Sequence, residues 1–451
     1  MNSQLKHFAI FATAIFMFGC GGGGSTTQND SAAAEVSTST STGSVNTPAY
    51  EQYVVTHAMQ LDSLTDNNNT SDLDQITAHF NDKRIVQLGE STHGSKQMNQ
   101  IKTRIIKYLH QNHDYNVVAF ESSMFSCNLK LETNIKTAQP LLTSCAFPIW
   151  HSDEVLELFD YIIETQSTDR PLKLAGYDVQ FSSGDYPASS LHDYYEQIIT
   201  QNQLTPSFDL TTHLQQYINT GGAGLRCRDN NISDNEQCEQ FEDAYLDAVA
   251  SLELITQYFE SLGNDFVLPA AIAKSQHFRL LMLKADIEGG VSAGMKARDT
   301  GMAENFITLA EHMFPNDKVI IWAHNFHISE SYPSQYYQDK FMGALLNDYY
   351  SDELYTVGIY MLSGESGDNN RGPIPVTAHQ SDSLESIVQA TSLAPLFLPL
   401  SKENQSGNSD DWLHTQTRAK EWGQGNTELV LSDSYDALIV IETSSLPDYL
   451  N

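Results

Sequence analysis

Two apolar runs, each ending in a polar turn that carries histidine, constrain this chain more than anything else in it. The first is Arg84-Ile-Val-Gln-Leu-Gly-Glu-Ser-Thr-His-Gly-Ser-Lys-Gln. Ile85, Val86 and Leu88 read as a short buried strand. Gly89 and Gly94 then bound a turn carrying Glu90, Ser91, Thr92 and His93, and a helical pattern follows. The second is Lys318-Val-Ile-Ile-Trp-Ala-His-Asn-Phe-His, another buried-strand pattern, ending in His324, Asn325 and His327. Continuous apolar runs of this kind suit parallel sheets covered by helices on both faces. Such sheets bind ligands beyond the carboxyl ends of their strands. The chain is therefore expected to bring these two strand ends together.

The intervening patterns agree. Met98, Ile101, Ile105 and Leu109 recur at helical spacing over 97–111, and residues 116–122 form the next buried strand, which presents Glu121. Strand, helix and strand make a βαβ unit with parallel pairing, which would set Glu121 beside His93. A strand over 172–177 ends at Asp178, and others are expected at 354–362, 396–400 and 437–442. Helices are expected at 50–64, 71–80 (with Ser71 as N-cap), 153–165 and 295–313. Residues 125–150 look irregular, and 191–287 look mainly helical with a polar loop at 221–236. The fold class is α/β: a mostly parallel central β-sheet flanked by helices, with a helical insertion at about 190–290.

The N-terminus has a different character. Lys6 and His7 precede an apolar run over 8–18, which is too short to span a bilayer and has the shape of a secretory signal. It ends Met-Phe-Gly-Cys, which resembles a bacterial lipobox with Cys20 as the lipidated residue. An ordinary signal peptide cut nearby is the alternative. Gly21 to Gly24 and a Ser/Thr/Asn/Ala-rich tract follow, a composition that reads as a tether. The expected organisation is a signal peptide at 1–19, a tether at 20–48 and an α/β domain at 49–451. Gly rather than Asp follows Cys20, which points to an outer-membrane protein facing the periplasm or the cell surface. Its only membrane attachment would be the lipid.

Two further features bear on compartment and partners. Beyond Cys20 there are Cys127, Cys145, Cys227 and Cys238. Of three pairings, the local one, Cys127–Cys145 with Cys227–Cys238, is simplest in an oxidising compartment; four free thiols are the alternative. No Cys-x-x-Cys spacing points to a metal. The formal charge of −33, from 24 basic and 57 acidic residues, disfavours nucleic acid as a partner. The Asp-rich stretch with Asp229, Asp234 and Glu236 lacks an EF-hand ligand order and reads as a solvated loop. No pattern addresses oligomeric state.

His93 has the side chain suited to general-base work near neutrality, and Glu90, three residues earlier, can fix its tautomer. Glu121 ends a strand. His324 and His327, spaced i and i+3, suit metal binding, oxyanion stabilisation or substrate binding. Arg298 can steady an oxyanion or pair with Glu121. Each side chain alone also has a structural reading: a turn histidine, a cap partner, satisfied buried histidines, a salt bridge. Ser91 occupies the serine place of a nucleophile elbow, but His93 stands where that motif needs glycine.

Taken together, Leu88-Gly-Glu-Ser-Thr-His-Gly, Phe120-Glu-Ser, Gly176-Tyr-Asp-Val-Gln, Arg298-Asp-x-x-Met-Ala-x-Asn and Trp322-Ala-His-Asn-Phe-His resemble the erythromycin esterase family. The blocks run in order from about residue 84 to 330. The resemblance implies hydrolysis of a macrolide-type lactone by a histidine-activated water, with no covalent intermediate, no cofactor and no required metal. It makes His93 the general base with Glu90 beside it, and Glu121 an aid in placing the water. It gives Arg298, His324 and His327 the pocket lining and the oxyanion, while Lys102, Arg104 and Asn325 are expected to contact substrate. Two positions depart from the family pattern: Gln97 stands where a glutamate is usual, and Lys102 where an arginine is usual. Two other readings remain open: a metal-dependent hydrolase or peptidase using Glu90, His93, His324 and His327, and a ligand-binding lipoprotein without turnover. Stoichiometric metal would favour the first and tight binding without product the second.

Overall fold

The apolar runs become strands. A computed structural model describes residues 48–66, 69–130, 136–182, 188–229, 235–331, 340–403 and 409–450. These residues belong to one unit, Pro48–Asn451. The expected signal peptide, the lipidated Cys20 and nearly all of the tether lie outside them, as does Asp234.

The strands are β1 (Met59–Gln60), β2 (Ile85–Leu88), β3 (Tyr115–Ser123), β4 (Lys173–Asp178), β5 (Lys318–Trp322), β6 (Leu354–Gly367), β7 (Pro373–Pro375), β8 (Leu396–Pro399), β9 (Gln416–Glu421), β10 (Gly425–Val430) and β11 (Ala437–Ser444). The main sheet runs β1-β8-β11-β6-β2-β5-β3-β4, with β7 attached to β6. From β11 to β4 every pairing is parallel. β8 and β1 add antiparallel strands at one edge. The mixed, mostly parallel α/β sheet is thus the one read from the sequence.

Neighbouring residues on each strand feed different cores. On β5, Val319 and Ile321 pack into one cluster, Ile320 and Trp322 into the other. β2 divides in the same way, Ile85 to one side and Val86 and Leu88 to the other. Burial on both faces is why these strands carry no polar alternation.

One expectation about strand order is corrected. β2 and β3 are not neighbours, because β5 inserts between them and pairs with both. Glu121 therefore reaches the His93 region across an intervening strand end. The segment expected as a helix over 50–64 is a helix Ala49–His57 followed by β1. The helix expected over 71–80 is Ser71–Thr77, with Thr70 rather than Ser71 at its N-cap. The stretch read as irregular contains helices Met124–Lys130 and Ala138–Cys145. Helix Asp153–Thr165 has the bounds expected, and Ser152 caps it through Val155 N.

The middle of the chain is helical as anticipated: Ala188–Gln201, Leu210–Asp229, Asn235–Ser261 and Val267–Gly289. Helix continues to Asp229, so much of the loop expected at 221–236 is helix. Both local disulfides form, Cys127–Cys145 and Cys227–Cys238, which corrects the free-thiol alternative. Each staples two successive helices. Among the described residues no helix is long and apolar enough to cross a membrane.

Candidate active site

The turn after β2 is fixed by its neighbours on both sides. Gly89 N donates to Val357 O (2.9 Å) and Ser91 N to Ile359 O (2.9 Å), while Glu90 O accepts from Asn325 N (2.8 Å). A Cβ on Gly89 would lie 2.1 Å from Asn325 Oδ1, and one on Gly94 2.3 Å from the Gly367 carbonyl. Both glycines are there because other chain segments pass too close for a side chain. Ser95 then caps helix Lys96–His113 by accepting from Met98 N (3.3 Å).

This turn aims His93 at Glu90. His93 Nδ1 lies 2.7 Å from Glu90 Oε1, which also accepts from Trp150 Nε1 (3.0 Å). Glu90 Oε2 accepts from Lys102 Nζ at 2.5 Å. The carboxylate is fully buried and so is the ammonium, whereas the His93 side chain is 13% exposed. Burial pushes Lys102 down to about 8 against the pull of Glu90. Its ammonium also sits 3.8 Å from the Trp322 ring centroid, a cation–π contact. A carboxylate with three donors keeps the His93 proton on Nδ1 and leaves a lone pair on Nε2.

His324 comes from the next strand end, beyond β5. Its ring centroid is 5.0 Å from that of His93. Its Nδ1 accepts from Phe326 N (3.1 Å), so in the neutral ring the proton is on Nε2. Burial first, then the neighbouring His93 and His327, hold it neutral, well below the usual histidine range. Nε2 itself is buried, with no hydrogen-bond partner among the described residues.

Behind these rings lies a charged platform from β3, β4 and the helix Val291–Thr308. Arg298 donates to Glu121 Oε1 (2.8 Å) and to Asp178 through Nε (3.2 Å) and Nη2 (2.5 Å). His327 Nδ1 bonds Asp299 Oδ1 (2.8 Å), and its Nε2 lies 3.3 Å from Glu121 and 3.1 Å from Arg298 Nη1. Burial opposes its charge, but Asp299 and Glu121 prevail and push His327 up to about 10. Three carboxylates face one guanidinium, so an imidazolium at this position reduces the negative excess of the cluster. Burial would raise Glu121, but His327 and Arg298 outweigh it and hold its carboxyl well below the usual range. Glu121 Oε2 accepts from His324 N (2.9 Å), which ties the platform to the catalytic-looking ring.

The structure brings together His93, Glu90, Glu121, Arg298, His324 and His327. It gives other places to the three residues expected to contact substrate. Arg104 is not at the site: its guanidinium grips buried Asp72 (2.7 and 2.8 Å) and the Ser63 and Asn69 carbonyls. Asn325 is a strand clip, exchanging bonds with Ile359 O (3.0 Å) and Ile359 N (3.1 Å). Lys102 is completely buried beneath Glu90 and serves that carboxylate. Gln97 is taken up by the C-terminal segment, accepting from Ser445 N (2.7 Å). Both departures from the family pattern are thereby engaged in packing and positioning. Ser91 Oγ is buried without a partner, which removes the base contact a serine nucleophile needs.

Sequence reasoning missed four contributors. Asp178 ends β4 as Glu121 ends β3, so the strand-end argument already pointed to it. Trp150 follows a proline-led turn and gave no signal. Glu421 and Trp422 sit at the tip of the β9–β10 hairpin, whose Trp-Gly-Gln-Gly turn signal was legible. Trp422 stacks on His324 (5.4 Å, 24°) and stands edge-on to His93 (5.4 Å, 86°).

The erythromycin esterase family model matches residues 110–444, so Glu90 and His93 precede the matched span. A Bacillus subtilis (strain 168) protein named putative hydrolase YbfO is 28% identical over 429 residues, covering 87% of this chain and 90% of that one. A solved Bacillus cereus structure superposes with a TM-score of 0.71 at 19% identity, covering 89% of this chain and 98% of its own. A histidine mutant of erythromycin esterase EreC, in an open conformation, gives 0.63 at 17% identity over 84% of this chain and 95% of its own. The two structures share the fold.

Proposed function

We propose that this chain, which belongs to the erythromycin esterase family, hydrolyses a small-molecule ester or lactone with a water that His93 activates. The observation that supports this most is the pairing of His93, oriented by Glu90, with a neutral His324 ring 5.0 Å away whose Nε2 carries the proton. One ring offers a lone pair and the other a donor, as addition of water to a carbonyl requires.

In the proposed reaction His93 Nε2 takes a proton from water while the water oxygen bonds to the carbonyl carbon. The carbonyl electron pair moves to oxygen, and His324 Nε2–H donates to that oxyanion. When the tetrahedral species collapses, the C–O bond to the alkoxide breaks and His93 returns the proton to the departing oxygen. Glu90 stabilises the imidazolium in between. Arg298 and His327 act at one remove, by fixing Glu121 and through it the His324 backbone. This recasts the direct oxyanion role the resemblance implies for them.

The substrate class is a lactone of macrolide type or a simpler ester. Export and a lipid anchor on Cys20, at the outer membrane, remain part of the proposal and rest on the sequence alone. A metal-dependent reading has less support. Among the described residues no three His, Cys, Asp or Glu side chains are arranged to hold an ion.

The test is incubation of the full chain with a macrolide panel and 4-nitrophenyl esters, reading product masses. Gain of one water by any of them is expected. Unchanged substrate throughout, with tight binding of one, would replace hydrolysis by ligand binding.

A further inference from the structure

The β9–β10 hairpin delivers one more carboxyl to the site. Trp422 occupies the hairpin turn at φ 56°, in the left-handed region that a bulky residue rarely adopts. Its N–H donates to Ser91 O (2.8 Å), so the turn after β2 holds the hairpin in this strained form. Strain of this kind persists where the surroundings over-determine it, and it clusters at functional sites. Its consequence is positional. With Trp422 stacked on His324, the preceding residue, Glu421, points Oε2 at His324 Nε2 across 3.6 Å.

Among the described residues neither atom has a hydrogen-bond partner, and both are buried. The other Glu421 oxygen accepts a long bond from Tyr360 OH (3.4 Å), whose hydroxyl meets Tyr435 OH (3.1 Å). The groups facing Glu421 are the Glu385 carboxyl, these two phenols and neutral His324. Lys420 next to it turns away, to Thr377 and Ala378 O. Burial, then Glu385, hold the Glu421 carboxyl well above the usual range, so it is an acid at neutral pH. His324 Nε2–H and Glu421 O–H are thus two donors across one gap. At 3.6 Å they do not bond each other; Tyr360 OH donates to Oε1, which places the acid proton on Oε2, and a single acceptor oxygen between the two donors would satisfy both.

We propose that Glu421 is a catalytic residue that closes on the carbonyl oxygen of the substrate together with His324, the pair forming a two-donor oxyanion hole. The inference rests on the hydrolase reading above and deepens it: the ligand is a carbonyl compound that passes through a tetrahedral oxyanion. No bond to Glu421 forms or breaks; it donates a hydrogen bond as negative charge develops.

The experiment uses the full chain, with erythromycin and 4-nitrophenyl butyrate as probes, comparing wild type, Glu421→Gln and Glu421→Leu. Gln keeps an N–H donor and is expected to hold kcat within about tenfold. Leu removes the donor and is expected to lower kcat about 100- to 1,000-fold at little-changed KM. Thermal unfolding of the three proteins separates this from a packing effect. The infrared difference between wild type and Glu421→Gln at pH 7 should show the C=O stretch of a protonated carboxylic acid. A carboxylate band, or wild-type kcat in Glu421→Leu, would overturn the proposal. Absence of turnover by wild type on both probes would remove the hydrolase reading and this role with it. The infrared band separates that failure from an error about Glu421 itself.

Discussion

His93 and His324 meet at 5.0 Å between ring centroids, with planes inclined at 67° and with complementary protonation. Glu90 holds the His93 proton on Nδ1 and leaves a lone pair on Nε2. The Phe326 N–H fills His324 Nδ1 and leaves a proton on its Nε2. The two rings come from the ends of β2 and β5, adjacent parallel strands. A base and a donor placed side by side are thus a direct product of strand order.

Glu90 should matter through His93 rather than through substrate. Glu90→Gln keeps the size but lets the imidazole adopt the wrong tautomer. Steady-state kinetics should show kcat reduced about 100- to 10,000-fold with KM within a few-fold. A change confined to KM would place Glu90 at the substrate instead.

Lys102 gives the activity an alkaline limit. Its folded-state value is pushed down to about 8, so the charge facing Glu90 is lost as pH rises through that value. The kcat of wild type should fall above about pH 8. In Lys102→Arg, which stays charged, the limb should move to higher pH. Superimposable pH profiles for the two proteins would contradict this role. Lys102→Met should also destabilise, by about 3–5 kcal/mol, because Glu90 would be left as a buried unpaired charge.

His327 should make stability fall as pH rises. Its folded-state value is about 10 against an ordinary 6.5. The native state therefore binds more protons between these values, and stability falls as pH rises across them. The contribution is complete below about 6.5 and gone above about 10. The difference in unfolding temperature between wild type and His327→Gln should narrow steadily over that window. Comparing the two proteins cancels the opposing contribution of Lys102. A constant difference would mean that His327 is neutral in the fold.

The Cys127–Cys145 bridge closes an 18-residue separation and staples the helices that lead to Trp150. Replacing both cysteines by serine should cost about 3 kcal/mol by denaturant unfolding. Because Trp150 donates to Glu90, kcat should fall as well. Unaltered kcat would show that Trp150 is held by its other contacts.

The parts of the site that were legible lie at strand ends. Buried parallel strands must be apolar on both faces, so the first polar residues beyond Leu88, Phe120 and Trp322 stood out. The strand order was not legible. The insertion of β5 between β2 and β3 is decided by packing between segments far apart in the chain, and local pattern is silent on that. Arg104 was misplaced for a related reason: its partner, Asp72, lies on the earlier helix Ser71–Thr77, and nothing local pairs them. Asn325 looked like a ligand contact because it stands between two histidines, yet its amide satisfies the backbone of β6. Glu421 and Trp422 were passed over because their hairpin lies off the main sheet, and contacts between segments far apart in the chain, among them Trp422 with Ser91 and His324, carry it to His93.

The most direct measurement is kcat/KM for the ester or lactone turned over, in wild type and His93→Ala, with and without a chelator. A loss of several orders of magnitude in His93→Ala, with wild-type activity indifferent to chelator, is expected for a histidine-activated water. Full activity in His93→Ala would contradict it.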